Sequence, residues 1–255
     1  ALKKMKQFLS IATEQLNNDK KSQFITIGIK GEAGLGKSRL VSEFIKRNKC
    51  NYIRSGASNI HSRPYSLFIS LLKSCMDISE YANKKDMASK LDNFYYSLKS
   101  SLLDKEYPDF LKSKAIIGFL IGLDIEDDRL ASRGRELQTH IQISLRSFIQ
   151  ALCVKSNLSG VPLIIILEDM HWLDGPSMET IKYLYDTIAM NRGKGIDISM
   201  EPFFILDYRP EFTLPDVISQ NSKLEEIIQA PLNKSDCLEI IDYFLDTTVK
   251  LPQDQ

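Results

Sequence analysis

Residues 31–38 bring glycines, a lysine and a hydroxyl side chain together in one short stretch. The stretch reads Gly31-Glu32-Ala33-Gly34-Leu35-Gly36-Lys37-Ser38 and fits the pattern G-x-x-x-x-G-K-[ST] at every position. Glycines permit a tight turn in which backbone N–H groups approach a phosphate closely. The Lys37 ammonium can neutralise β- and γ-phosphates, and the Ser38 hydroxyl can ligate Mg²⁺. The pattern therefore predicts a phosphate-binding loop for a nucleoside triphosphate.

A pair of adjacent carboxylates provides the second element that such chemistry needs. Glu168 and Asp169 follow the apolar run Val161–Leu167. One carboxylate is expected to hold Mg²⁺ through water, and the other to orient or deprotonate the attacking water. The two motifs together predict binding and hydrolysis of a nucleotide.

These groups require a scaffold in which a strand end and a helix start meet. β-Branched residues at 23–30 precede the loop, and a helical apolar pattern begins at Lys37, which is the context that the motif requires. A continuous apolar run such as Val161–Leu167 is typical of a strand buried on both faces of a parallel sheet. We predict an α/β fold, namely a three-layer P-loop NTPase domain with a mostly parallel sheet.

The remaining pattern predicts one domain over residues 1–255 with a large helical insertion at 60–158. Inside the insertion a helix is expected to begin at Pro64, because proline suits a first helical position. Other predicted elements are helices at 2–16, after Gly175-Pro176 and at 235–246, and strands at 52–55, 203–206 and 224–229. The insertion carries no recognisable chemistry.

Composition excludes several classes of protein. The 33 Lys and Arg residues balance 33 Asp and Glu residues, which gives no general basic surface for nucleic acid. No apolar run is long enough to span a bilayer, no signal peptide is visible, and the four cysteines have no metal-ligand spacing. A cytoplasmic location without membrane contact is expected. The absence of an initiator Met predicts a piece of a longer polypeptide.

Four stretches resemble the STAND class of signal-transduction ATPases, which belong to the ASCE/AAA-like P-loop proteins. The resemblance is closest to the modules attached to class III adenylate cyclases, Ser/Thr kinases and transcriptional regulators. The matching stretches are Gly31–Leu40 (GExGxGKSRL), Glu168–Asp174 (EDxHWxD), Asp207–Glu211 (xxRPE) and Pro231–Asp236 (PLxxxD). Their order and rough spacing agree across residues 2–246.

The resemblance implies ATP as the nucleotide, in contact with the residues from Gly31 to Arg39. It implies that Ser38, Glu168 and Asp169 hold Mg²⁺. Within the acidic pair, Glu168 is implied on the metal side and Asp169 as the residue that activates water.

The resemblance also implies that Arg209 is a sensor arginine directed toward the γ-phosphate. His171 and Trp172 are either a relay of the nucleotide state or packing residues after the strand. Asp207 departs from the family, which commonly has a small hydroxyl residue or Ala there, so it either supports or blocks hydrolysis. The acidic strand is expected between the strand of the phosphate-binding loop and that strand's former neighbour.

The predicted function is a Mg²⁺-dependent, ATP-binding and slowly hydrolysing regulatory switch. ATP and ADP are its ligands, and its partner is an effector domain on the same polypeptide. Hydrolysis by this chain alone is expected to be weak, because the family's adenine-contacting motif and winged-helix region are absent from it. The alternatives are a non-hydrolysing nucleotide-binding scaffold and an origin-recognition-like ATPase on DNA. ATP rather than GTP follows from the resemblance, and no guanine-reading motif is visible.

Overall fold

A computed structural model describes residues 1–18, 24–48, 50–59, 63–99, 102, 107–193 and 202–231. In chain order the elements are α1 (Leu2–Asn18), β1 (Ile25–Lys30), α2 (Lys37–Arg47), β2 (Asn51–Gly56), α3 (Ser66–Cys75), α4 (Lys84–Leu98), α5 (Tyr107–Ile121), α6 (Arg135–Asn157), β3 (Leu163–Glu168), α7 (Gly175–Gly193), β4 (Phe203–Tyr208), α8 (Asp216–Asn221) and β5 (Lys223–Ile228). Short 3₁₀ helices lie at Asp128–Ala131 and Met170–Trp172. The predicted helix at 235–246 and most of the Pro231–Asp236 stretch lie outside the described residues.

The strands form a parallel sheet in the order β2-β3-β4-β1-β5. The acidic strand is β3. Its expected place is wrong, because β4 rather than β3 lies next to β1. All six residues of β4 are buried, whereas most residues of β2 and β5 are not. A strand that is apolar on both faces is stabilised most at the centre of a sheet, and the order of elements along the chain does not reveal that position.

Each face of the sheet is covered by helices, which gives three layers. On one face, α1 and α2 cover the sheet. Their buried residues Met5, Val41 and Phe44 share one core cluster with Ile27 and Ile164. The core cluster on the opposite face contains buried residues of α3 to α7, and Ile165 belongs to that cluster. Successive β3 residues thus point to opposite cores, as the period of a strand requires.

α3, α4, α5 and α6 all lie between β2 and β3 in the chain. α3 packs on β2, and α6 packs on β3 and α7. α3 begins at Ser66 rather than at the predicted Pro64, because Tyr65 has a left-handed backbone with φ 62° and the chain turns there. Among the described residues, no helix is both long and apolar enough to cross a membrane.

Candidate nucleotide site

The carboxyl ends of β1, β3 and β4 meet at one edge of the sheet, which is where ligands bind in open α/β folds. The phosphate-binding loop leaves β1 there, and the Gly31 N–H donates to the Tyr208 carbonyl at the end of β4. Gly34 and Gly36 have φ values of 80° and 82°, and a Cβ at either position would meet nothing within 4 Å. The left-handed backbone, rather than crowding, therefore requires glycine at these two positions.

Lys37 turns back into the phosphate-binding loop. Its ammonium donates to the carbonyls of Gly31 at 2.9 Å and Glu32 at 3.2 Å. The residue is only 8% exposed. A charge buried in this way is held in place by backbone oxygens, and an ammonium with three N–H donors has one more to offer a phosphate.

Glu168 ends β3 with both carboxylate oxygens engaged by Arg54 of β2. The guanidinium donates from Nε to Oε2 at 2.6 Å and from Nη2 to Oε1 at 2.7 Å. Arg54 also donates to the Ser42 hydroxyl of α2 at 3.0 Å. The hydrogen bond to Glu168 raises the pKa of Arg54 above its ordinary value. Sequence reasoning missed Arg54, because the ion pair forms only when β2 and β3 are neighbours.

Asp169 differs from Glu168 in both backbone and exposure. Its φ is 54°, a left-handed value that is uncommon for a residue with a side chain. Its N–H donates to Oδ1 of Asp207 at 2.9 Å. Its carboxylate is 53% exposed, and within the described ranges it accepts no hydrogen bond. The strained turn thus directs this carboxylate outward, away from the sheet.

Asp207 lies on β4, opposite Ile29 of β1, and is only 2% exposed. Burial raises the pKa of its carboxyl to about 6, and the negative charges of Glu168 and Asp169 also raise this pKa. The hydrogen bond from the Asp169 N–H lowers it, but by less. The side chain noted in the sequence as a departure from the family is therefore a buried member of the acidic group. Among the described residues it forms no ion pair with Arg209, and its Oδ1 accepts from the Asp169 N–H.

Arg209 follows β4 and lies over the indole ring of Trp172, with 5.5 Å from Cζ to the ring centroid. The guanidinium is also 4.0 Å from Glu211. The ring of His171 lies 5.1 Å from that of Trp172. Burial lowers the pKa of His171, and the charge of Arg209 adds to this effect, so the imidazole is neutral near pH 7. Arg209, His171 and Trp172 thus form one cluster beside Asp169.

Asp174 ties this region to two helices. Its carboxylate accepts from the N–H and hydroxyl of Ser177 in the first turn of α7. It also accepts from the N–H groups of Tyr65 and Ser66 and from the Ser66 hydroxyl at the start of α3. Burial alone would raise the pKa of Asp174, but these hydrogen bonds outweigh it and keep the pKa below its ordinary value. Asp174 is a shared helix cap.

The other residues predicted to contact nucleotide lie on the same loop and helix start. Glu32, Ala33, Ser38 and Arg39 are exposed, and Leu35 is half-buried. The backbone N–H groups in the first turn of a helix have no intrahelical acceptor, so the start of α2 offers donors and a partial positive charge to a phosphate. The structure therefore brings the predicted loop, the acidic pair and Arg209 to one edge of the sheet.

The side chains present fit a Mg²⁺ ion bound together with phosphate. The Ser38 hydroxyl donates to no group in the described part of the chain, and the Asp169 carboxylate is half exposed. Both oxygens of Glu168 are engaged, yet each carboxylate oxygen keeps a further lone pair for a metal-bound water. In the ranges described, no three His, Cys, Asp or Glu side chains group closely enough to hold a metal ion themselves. Mg²⁺ usually takes one or two protein ligands and completes its shell with phosphates and water, and the Ser38 hydroxyl and one carboxylate fit that pattern.

The chain has similarities to known proteins in sequence and in structure. The sequence profile described as an AAA ATPase domain matches residues 13–194, more than half of the chain. No match was found among curated proteins. Among solved structures, the chain is similar to a Walker-type ATPase of Pyrococcus abyssi, with 12% identity and a TM-score of 0.43. That match covers 94% of this chain and 59% of the other chain, so this chain spans less than two thirds of the length of that protein.

Proposed function

The chain belongs to the AAA ATPase domain family, and we propose that it binds ATP with Mg²⁺ and hydrolyses it slowly as a regulatory switch. The observation that supports this most is the buried Lys37 ammonium inside a loop whose glycines have left-handed backbones. A motif that occurred by chance would have no reason to fold its lysine back onto the loop carbonyls. The acidic group at the neighbouring strand ends supplies the second part of the site.

Each residue type has a defined task in this proposal. The loop N–H groups and Lys37 bind the phosphates, and Ser38 and Glu168 hold Mg²⁺, Glu168 through water. Bound Mg²⁺ would neutralise charge on the phosphates. Asp169 orients the attacking water and takes its proton. The Arg209 guanidinium moves away from the Trp172 ring and then stabilises charge on the γ-phosphate.

Two contacts support slow rather than fast hydrolysis. Arg54 engages Glu168 through both oxygens, and Arg209 lies over Trp172. Phosphoryl transfer depends on charge placed close to the γ-phosphate. A site that must first rearrange a guanidinium is expected to turn over well below about 1 s⁻¹.

We also propose that the nucleotide state is passed to an effector domain on the same polypeptide, in a single domain whose residues 60–158 form a helical insertion. Asp174 supports this idea. It lies at the end of the Glu168–Asp174 stretch and accepts hydrogen bonds from the start of α3, the first helix of that insertion. A movement of the acidic strand end on nucleotide binding would therefore reach α3 directly.

The test is a single-turnover assay with protein in excess over radiolabelled ATP. We expect bound ATP and a slow, Mg²⁺-dependent appearance of ADP, with GTP bound more weakly. ATP that is retained but never cleaved would favour a second function, a non-hydrolysing nucleotide-binding scaffold. The Arg54–Glu168 ion pair is the observation that favours this alternative. Failure to bind either nucleotide would contradict both.

A further inference from the structure

His171 is a buried imidazole that no described group satisfies. Its side chain is only 6% exposed. Neither Nδ1 nor Nε2 has a hydrogen-bond partner in the part of the chain that the structure describes. A buried polar group without a partner lowers the stability of a fold, and most such groups in native proteins are paired. A histidine at this position is therefore not explained by packing, because an apolar side chain of similar size would be more favourable.

The surroundings of His171 direct attention to Asp169. The distance from Nε2 to Oδ1 of Asp169 is 3.9 Å. This is too long for a hydrogen bond, but a movement of about 1 Å would form one. The His171 ring also lies 5.1 Å from the ring of Trp172, and the Arg209 guanidinium lies over that Trp172 ring. His171 is thus close to both the exposed carboxylate and the ring under the arginine.

We propose that His171 is a positioning residue for hydrolysis, whose Nε2–H donates to the Asp169 carboxylate when nucleotide occupies the phosphate-binding loop. This inference rests on the proposed function and deepens it. A base that is itself oriented by a third group recurs in catalytic sites, because the hydrogen bond restricts the base to one productive direction. Asp169 needs such a partner, since its exposed carboxylate accepts no hydrogen bond from the described residues.

The chemical step leaves the imidazole unchanged. The water oxygen forms a bond to the γ-phosphorus as the bond from that phosphorus to the bridging oxygen breaks. ADP leaves with that electron pair, and the proton of the water passes to Asp169. His171 forms no bond to the nucleotide and acts only through the direction of the Asp169 carboxylate.

Three replacements of His171 separate positioning from packing. His171→Leu keeps an apolar body and removes both nitrogens. His171→Gln places an amide nitrogen near the position of Nε2, and His171→Asn places one near Nδ1. His140→Leu on α6 is the matched control. Each protein is measured for ATP affinity by calorimetry, for its single-turnover rate with Mg²⁺-ATP, and for its thermal midpoint.

For His171→Leu we expect an ATP affinity within about threefold of the unmodified chain and a single-turnover rate at least about tenfold lower. Its thermal midpoint should be equal or higher, because an unpaired buried group has been removed. His171→Gln should keep most of the rate, whereas His171→Asn should resemble His171→Leu. His140→Leu should keep the rate.

Several results would overturn the inference. One is a His171→Leu rate within twofold of the unmodified chain. Another is a thermal midpoint more than about 4 °C lower for this variant, since the nitrogens would then be satisfied in the folded protein. An unmodified chain that binds ATP without ever releasing ADP would overturn the inference and leave nucleotide binding intact. An unmodified chain that does not bind ATP would instead refute the proposed function itself.

Discussion

Arg54 and Glu168 form an ion pair with two hydrogen bonds, of 2.6 and 2.7 Å, at the carboxyl ends of two neighbouring strands. The side chain of Glu168 is 14% exposed and that of Arg54 is 33% exposed. A guanidinium at this distance opposes the approach of a second positive charge to the same carboxylate. The pair therefore competes with the metal-side role proposed for Glu168.

The competition predicts opposite effects for the two partners. In Arg54→Met, Mg²⁺ should increase ATP affinity more than it does in the unmodified chain, because the carboxylate is no longer neutralised. In Glu168→Gln, Mg²⁺ should increase ATP affinity less. Calorimetric titration with ATP, with and without Mg²⁺, measures both effects. The same Mg²⁺ effect in all three proteins would show that Glu168 is not on the metal side.

Asp169→Asn removes the proposed base and keeps its size. ATP should still bind with an affinity close to that of the unmodified chain, whereas the single-turnover rate should fall by about 10² or more. Asp92→Asn on α4, an exposed residue that pairs with Lys114, is the control and should keep the rate. An undiminished rate in Asp169→Asn would transfer the catalytic role to Glu168 or Asp207.

Local patterns predicted the parts of the site that local forces determine. The phosphate-binding loop was predictable because the spacing of its glycines determines its backbone conformation. The β3 strand was predictable because a continuous apolar run is typical of a strand buried on both faces. The family match to an AAA ATPase domain confirms the P-loop ATPase assignment. The roles of individual site residues stay predictions.

Contacts between distant segments were not predictable in the same way. Arg54 is 114 positions from Glu168, and nothing in either local sequence points to the other. The position of β4 between β1 and β3 depends on which strand gains most from central burial. The capping of α7 by Asp174 had a local signal, since an aspartate before Gly175-Pro176 is a typical helix cap. Its bonds to α3 had none.

Asp207 predicts a pH dependence of stability. Its pKa is raised by burial to about 6 in the folded chain, against 3.8 for the free group. The folded state thus binds the proton more tightly, so the contribution of this group to stability decreases as pH rises from about 4 to 6. Asp207→Asn keeps an oxygen that accepts from the Asp169 N–H. Its amide does not titrate, so this variant does not lose stability in this way as pH rises.

Denaturant unfolding of the two proteins at several pH values provides the measurement. The stability of Asp207→Asn relative to the unmodified chain should rise by about 1 kcal/mol between pH 5 and 7.5 and then level off. A difference that does not change with pH would mean that the carboxyl titrates alike in the folded and unfolded chains.

Asp174→Ala should destabilise the fold by about 2–3 kcal/mol, because it removes the caps of α3 and α7 together. Since hydrogen bonds keep the pKa of Asp174 low, its contribution is present above the unfolded pKa and is lost as pH falls through the folded one. Urea unfolding at pH 7 measures the loss. Asp124→Ala, whose side chain is 85% exposed, should change stability by less than about 0.5 kcal/mol. Equal effects of the two substitutions would refute the capping role.

The most direct test of the account is calorimetric titration of Mg²⁺-ATP into the unmodified chain and into Lys37→Ala. Lys182→Ala, which removes an exposed lysine on α7, is the matched control. We expect the unmodified chain and Lys182→Ala to bind ATP equally. Lys37→Ala should remain folded and bind at least about tenfold more weakly, a loss of about 1.4 kcal/mol or more. Equal affinity of Lys37→Ala and the unmodified chain, or no binding by either, would contradict the assignment of this loop as the nucleotide site.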